Sequence, residues 1–148
     1  MSKSKVVVIQ GAGMDLRGKV QIEIFGPQTL TEINAGIESA AGDCGLDVEF
    51  MQSNDENETV KFIQDLDHDT WLAAIINPSG FTTNEQIAGA ISSVEIPFYE
   101  VHASNPSARG VVSSIQPVCK GGICGFGYAG YAMVLRQIST SARPINNT

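Results

Sequence analysis

Apolar, β-branched runs recur along the chain, separated by segments whose apolar residues return at helical spacing. The first run, "KVVVIQ" from Lys5 to Gln10, is continuous rather than alternating, as a strand covered on both faces requires. "TLTE" sets Thr29 three residues before Glu32, a capping box that predicts a helix extending to about Gly45, where glycine ends it. "DVEFMQ" alternates as a second strand. "SNDE" repeats the capping arrangement with Ser53 and Glu56 and predicts a helix through Leu66. "HDTWLAAIIN" reads as a third strand halted by the breaker Pro78, and "TNEQIAGAISS" as a short helix. "IPFYEVHAS" gives a fourth strand, "GGICGFG" a fifth and "YAGYAMVLRQIS" a closing helix. Strands interleaved with helices predict one three-layer α/β domain over residues 1–148, its five-stranded parallel sheet covered on both faces. Ligands of such a sheet meet the loops at the carboxyl ends of the strands. The polar tail "SARPINNT" is expected to fray.

Composition narrows the partners more than the fold. With 148 residues and 43% hydrophobic content the chain can build a core without staples. Nine basic against 16 acidic side chains, a formal charge of -7, argue against nucleic acid and anionic membranes, because nothing would displace phosphate counterions. No apolar run approaches the roughly 20 residues that span a bilayer. The start "MSKSK" is polar, with no secretory leader, and three cysteines are an odd number, so reduced thiols and a cytoplasmic location are expected. Asp67, His68 and Asp69 are adjacent, so they point apart, and no second cluster completes a metal shell; a solvated loop is the expected reading. Cys119 and Cys124 lack further cysteines for zinc, and Cys124 is expected as a packed thiol within its strand.

The loop "GAGMDLRGKVQIEIFGP" resembles a phosphate cradle and fails as one. A Rossmann turn needs its third glycine sooner, and Gly18 arrives two residues late after Gly11 and Gly13. Gly13, Gly18 and Lys19 fit a P-loop, but Val20 stands where a hydroxyl must hold magnesium. "KVQIEIFGP" alternates, so no helix is expected to supply converging amides. Neither nucleotide-binding reading is therefore expected to hold.

Together with four later segments, this loop identifies a family. "VVVIQGAGMDLRGKVQIEIFG", "VEFMQSNDENETVKFIQ", "AIINPSGFTT", "PFYEVHASNPSAR" and "GGICGFGYAGY" resemble, in order and at nearly the right spacing, the motifs of the type II 3-dehydroquinases. The resemblance runs from Val6 to about Leu135. It implies a flavodoxin-like fold, trimers assembled into a dodecamer, and elimination of water from 3-dehydroquinate without a cofactor. In that family a loop tyrosine, activated by an arginine, removes a proton beside the ketone, and a histidine protonates the departing hydroxyl. By this alignment the tyrosine position is Phe25, the arginine position Val20 and the loop asparagine position Gly13. A family histidine falls at Thr83 or in a one-residue deletion, and the acid contributed by a neighbouring subunit falls at Gly89. The stretch between Arg109 and Pro117 is about three residues short and lacks the lid arginine. Asn77, Glu100, His102, Ala103 and Ser104 match the substrate-binding asparagine, the glutamate beside the acid histidine, that histidine, and the amide and hydroxyl that receive the substrate carboxylate.

The residues carry part of this reading themselves. Glu100 and His102 are two apart on a strand and share a face, so the carboxylate can fix the imidazole tautomer for acid-base work; the alternative is a hydrogen-bonded histidine at a strand end. Asn77, Ser104 and Asn105 are either ligand contacts or turn residues. Arg17 either reaches a carboxylate or phosphate or is a solvated loop arginine. Phe25 is expected to line a less polar pocket. The expected function is a diverged lyase or isomerase acting on a small anionic, carbonyl-bearing metabolite, with 3-dehydroquinate dehydration weak or absent. The alternatives are retained dehydratase activity, or a non-catalytic paralogue that binds a metabolite or joins an active dehydroquinase.

Overall fold

The computed structural model describes residues 4–142. Five parallel strands are β1 (Lys5–Ala12), β2 (Asp47–Gln52), β3 (Ala73–Ser79), β4 (Phe98–His102) and β5 (Gly121–Cys124). They lie in the order β2-β1-β3-β4-β5. The helices are α1 (Ile22–Phe25, a single turn), α2 (Leu30–Asp43), α3 (Glu56–Gln64), α4 (Glu85–Ser92) and α5 (Ala129–Ala142). This is the flavodoxin-like order, and the switch from β1 to β3 opens a crevice at the carboxyl ends.

Strand alternation divides the core into two layers. Val6, Val8, Ala73, Ile75, Tyr99 and Val101 face α2 and α5, meeting Ile33, Ile37, Val134, Leu135 and Ile138. Val7, Ile9, Ala74, Ile76 and Phe98 face α3 and α4, meeting Ile63, Ile87, Ala90 and Ile91. The same parity sends Asn77 toward α5, and Glu100 and His102 toward the opposite face. β1 and β3 approach so closely beside Gly11 that a Cβ there would lie 2.0 Å from the Pro78 carbonyl oxygen.

The Thr29–Glu32 capping box forms as expected, and Gly45 follows α2 at φ 72. Elsewhere boundaries move for local reasons. The cap of α3 is Asp55 rather than Ser53: Asp55 accepts the Glu58 amide at 2.7 Å, while Ser53 Oγ accepts the Asp55 amide and donates to Glu58. α3 stops at Gln64, with Leu66 beyond it. β3 begins five residues later than expected, at Ala73, because Asp67 accepts the Thr70 amide in a turn, and it continues through Pro78 to Ser79. The stretch expected to be extended after Gly13 instead winds into a 3-10 turn (Met14–Leu16) and α1. Its apolar residues Leu16, Val20, Ile22 and Ile24 are 42 to 45% exposed, so alternation there marks no buried strand face. Cys124 is exposed rather than packed, because β5 is an edge strand whose even positions face outward. Residues 143–148 of the polar tail lie outside the described residues, while Ser141 and Ala142 belong to α5.

Candidate active site

A cavity of about 290 Å³ opens at the carboxyl ends of β1, β3 and β4. The loop after β1 supplies Gly13, Leu16, Arg17, Val20, Gln21 and Phe25. β3 and its turn bring Asn77, Ser79, Gly80 and Thr82, and the end of β4 brings His102, Ala103, Ser104 and Arg109. Of the sequence-derived candidates, Asn77, His102, Ala103, Ser104, Arg17 and Phe25 line the cavity and Glu100 pairs with His102, whereas Asn105 does not line it and lies exposed beside Cys124.

β4 carries the candidate pair Glu100 and His102. His102 Nε2 lies 2.8 Å from Glu100 Oε2, and both side chains are more than nine-tenths buried. The same oxygen accepts Ser113 Oγ at 2.5 Å. A carboxylate so placed holds the ring's tautomer and orientation. Cys119 is no competing nucleophile: burial first, and the Glu100 charge second, push its thiol up to about 12.

β3 contributes an amide whose orientation is determined from below. Asn77 Nδ2 donates to Tyr131 Oη at 2.9 Å, Tyr131 Oη donates to Gln10 Oε1 at 2.7 Å, and Gln10 Nε2 donates to Asn34 Oδ1 at 3.1 Å. This buried series fixes the amide of Asn77, a residue that lines the cavity. Burial pushes the Tyr131 phenol well up, outweighing the Asn77 and Gln10 hydrogen bonds that act the other way, so it remains a neutral member of the network.

The loop wall is built differently. Arg17, far from solvated, is only 5% exposed. Its Nη2 donates to Ser79 Oγ at 3.1 Å, and its guanidinium carbon lies 3.8 Å from the Phe25 ring centroid. Ser79 adopts a left-handed conformation, φ 50, unusual for a residue with a side chain. Neither Arg17 Nε nor the buried Tyr128 hydroxyl meets a partner in full hydrogen-bond geometry, although the hydroxyl faces the guanidinium closely enough to feel its charge and its N–H groups. Burial pushes that phenol up while the guanidinium pulls it down. From the segment after β4, exposed Arg109 donates from Nη1 to Ser104 Oγ at 2.8 Å.

The described lining contains two arginines and a histidine but no carboxylate, in a chain of net charge -7. Such a cavity selects anions by its local field. His102 is its one proton-transfer group among the described lining residues. Asp67, His68 and Asp69 lie elsewhere, in the turn before β3. Sequence reasoning passed over Ser79, Tyr128, Tyr131, Gln10 and Ser113. Gln10 at the end of an otherwise apolar strand is the signal that a polar side chain was required there.

Over residues 4–139 the chain matches the family described as dehydroquinase class II. A 3-dehydroquinate dehydratase of Pseudoalteromonas translucida is 38% identical over 141 residues, covering 90% of this chain and 91% of that protein. One from Brucella canis is 36% identical over 146 residues, covering 96% and 92%. The crystal structure of a type II dehydroquinase from Propionibacterium acnes superposes with a TM-score of 0.86 at 28% identity, covering 94% of this chain and 98% of that one. Fold, ordered motifs and whole-length similarity agree, and the chain belongs to the type II dehydroquinase family.

Proposed function

We propose that this chain is a hydro-lyase that takes 3-dehydroquinate, or a small hydroxy-oxo carboxylate of the same shape, into the cavity at the β1/β3 crevice. The observation that carries this reading is the Glu100-backed His102 in a cavity whose described lining holds Arg17 and Arg109 and no carboxylate. The Ala103–Ser104 segment and Arg109 receive the carboxylate, and Asn77 positions a hydroxyl. Arg17 faces the oxygen that becomes negative as the carbon-bound proton leaves. His102 gives its proton to the departing hydroxyl, which leaves as water.

Phe25 stands, in this reading, where relatives carry the tyrosine base, and Val20 where they carry its activating arginine. A phenyl ring accepts no proton, so the carbon-bound proton passes to His102 or to water. Loss of a general base typically costs about 10²- to 10⁴-fold. The expected outcome with 3-dehydroquinate is therefore slow formation of the conjugated enone, followed by its ultraviolet absorbance, and abolished in His102→Ala. Absence of turnover with retained binding would replace this reading by the non-catalytic paralogue, which the lack of a second proton-transfer group in the lining favours. The working assembly is a trimer-based homo-oligomer, to which the exposed apolar residues Leu16, Val20, Ile22 and Ile24 give a motive. Native mass spectrometry tests it, and a purely monomeric protein would dismiss it. The compartment is the cytoplasm, where three unpaired thiols stay reduced.

A further inference from the structure

The Glu100–His102 pair has a third member. Ser113 lies in the stretch between Arg109 and Pro117, and its Oγ is 2.5 Å from Glu100 Oε2. Two backbone amides converge on that same hydroxyl, Ile115 N–H at 3.1 Å and Gln116 N–H at 3.2 Å. A serine hydroxyl has one hydrogen and two lone pairs. With both lone pairs engaged by amides, its hydrogen can go only to Glu100. Oε2 therefore accepts from Ser113 and also meets His102 Nε2 at 2.8 Å. An oxygen that already accepts from Ser113 meets the ring as an acceptor, so the nitrogen facing it is the one that carries the imidazole proton. His102 has no second hydrogen bond to a described residue, which leaves Nδ1 as the ring nitrogen open to a ligand.

Space beside the pair gives Ser113 something to prevent. A second cavity of about 90 Å³ is lined by Glu100, His102, Ser107, Ser113, Gln116 and Cys124. Without the Ser113 hydroxyl the carboxylate is free to turn into it and toward water. We propose that Ser113 is a positioning residue for His102: it holds Glu100 as an accepting carboxylate, keeps the proton on Nε2, and makes Nδ1 the atom that exchanges a proton with the ligand. The catalytic consequence rests on the proposed dehydration; the tautomer does not.

Two measurements decide it. The chain has two histidines, so nitrogen-15 imidazole spectra of the intact protein and of His68→Gln assign His102 outright. A slowly exchanging, downfield proton coupled to Nε2 is expected in the native protein, lost in Ser113→Ala and kept in Ser113→Thr. An Nδ1-bound proton in the neutral native ring, or an Nε2 proton unchanged in Ser113→Ala, overturns the proposal. With 3-dehydroquinate as substrate, Ser113→Ala lowers kcat by about tenfold at unchanged KM, as removal of an orienting partner does. Added to Glu100→Gln it lowers kcat no further, because both act through one carboxylate. Fully additive losses would make Ser113 a cap of the following turn and nothing more. Absence of turnover in every variant would remove the proposed function, while the spectra still settle Ser113.

Discussion

The floor of the cavity and its loop wall obey opposite rules. On the floor, Gln10, Asn77, Tyr131, Glu100 and His102 come from strands and a helix, are buried, and satisfy one another within 3.1 Å. On the wall, Arg17 is as buried as they are, yet keeps an unpartnered Nε, and the described cavity lining around it holds no carboxylate. The loop beside it leaves four large apolar side chains in solvent. A satisfied network holds its shape without a ligand, whereas a buried cation without a counter-charge is destabilising until an anion arrives. The floor is thus preorganised, and the wall is where binding free energy is recovered.

The largest expected effect tests the floor's chemistry. His102→Ala lowers kcat on 3-dehydroquinate by about 10²- to 10⁴-fold with little change in KM; a variant turning over like the native protein would put the chemistry on the wall. Next comes packing. Gly11→Ala places a Cβ 2.0 Å from the Pro78 oxygen, where two strands must separate, and should cost about 3 kcal/mol or more in urea unfolding. Gly26→Ala, on the wall side, meets nothing within 4 Å and suffers only from its glycine-favouring backbone at φ 85 and ψ 173, about 1–3 kcal/mol. Equal losses at the two glycines would abolish the contrast.

Tyr131→Phe leaves Asn77 Nδ2 and Gln10 Oε1 without their shared partner and should destabilise by about 1–3 kcal/mol. Arg17→Met should do the reverse, leaving stability unchanged or up to about 1 kcal/mol higher while weakening malonate binding measured by calorimetry. Destabilisation by Arg17→Met would show that the wall, too, is satisfied without a ligand.

The smallest effect is alkaline. Cys119 ionises near its ordinary value of 9.0 in the unfolded chain but only at about 12 in the fold. The unfolded state therefore loses the proton first, and stability falls as pH rises from about 9 toward 12. Cys119→Ala should flatten that fall in the urea midpoint across this window. An identical pH profile would mean the thiol is more open than its packing indicates.

Much of this was legible from residue order. Periodicity located five strands and the main helices, because a strand buried on both faces and an amphipathic helix each need a distinctive apolar spacing. The capping box at Thr29 was legible because both partners lie within one turn. Ser53 misled because three potential caps stand within a few residues, and only the path of the chain selects Asp55. Glu100 and His102 were legible as a pair through the period of two; Ser113, reaching them from another segment, was not.

Sequence alone determined the layered α/β architecture and the family, since these follow from local spacing and ordered motifs, and it was the family resemblance that led to an anionic ligand being expected. Only the tertiary structure decided that Arg17 is buried against Phe25 and Ser79, that Tyr131 links Gln10 to Asn77, and that Ser113 closes on Glu100. Those contacts join segments 8 to 121 residues apart in the chain. No local pattern encodes them, because a hydrogen bond between distant segments depends on where the sheet brings their ends together.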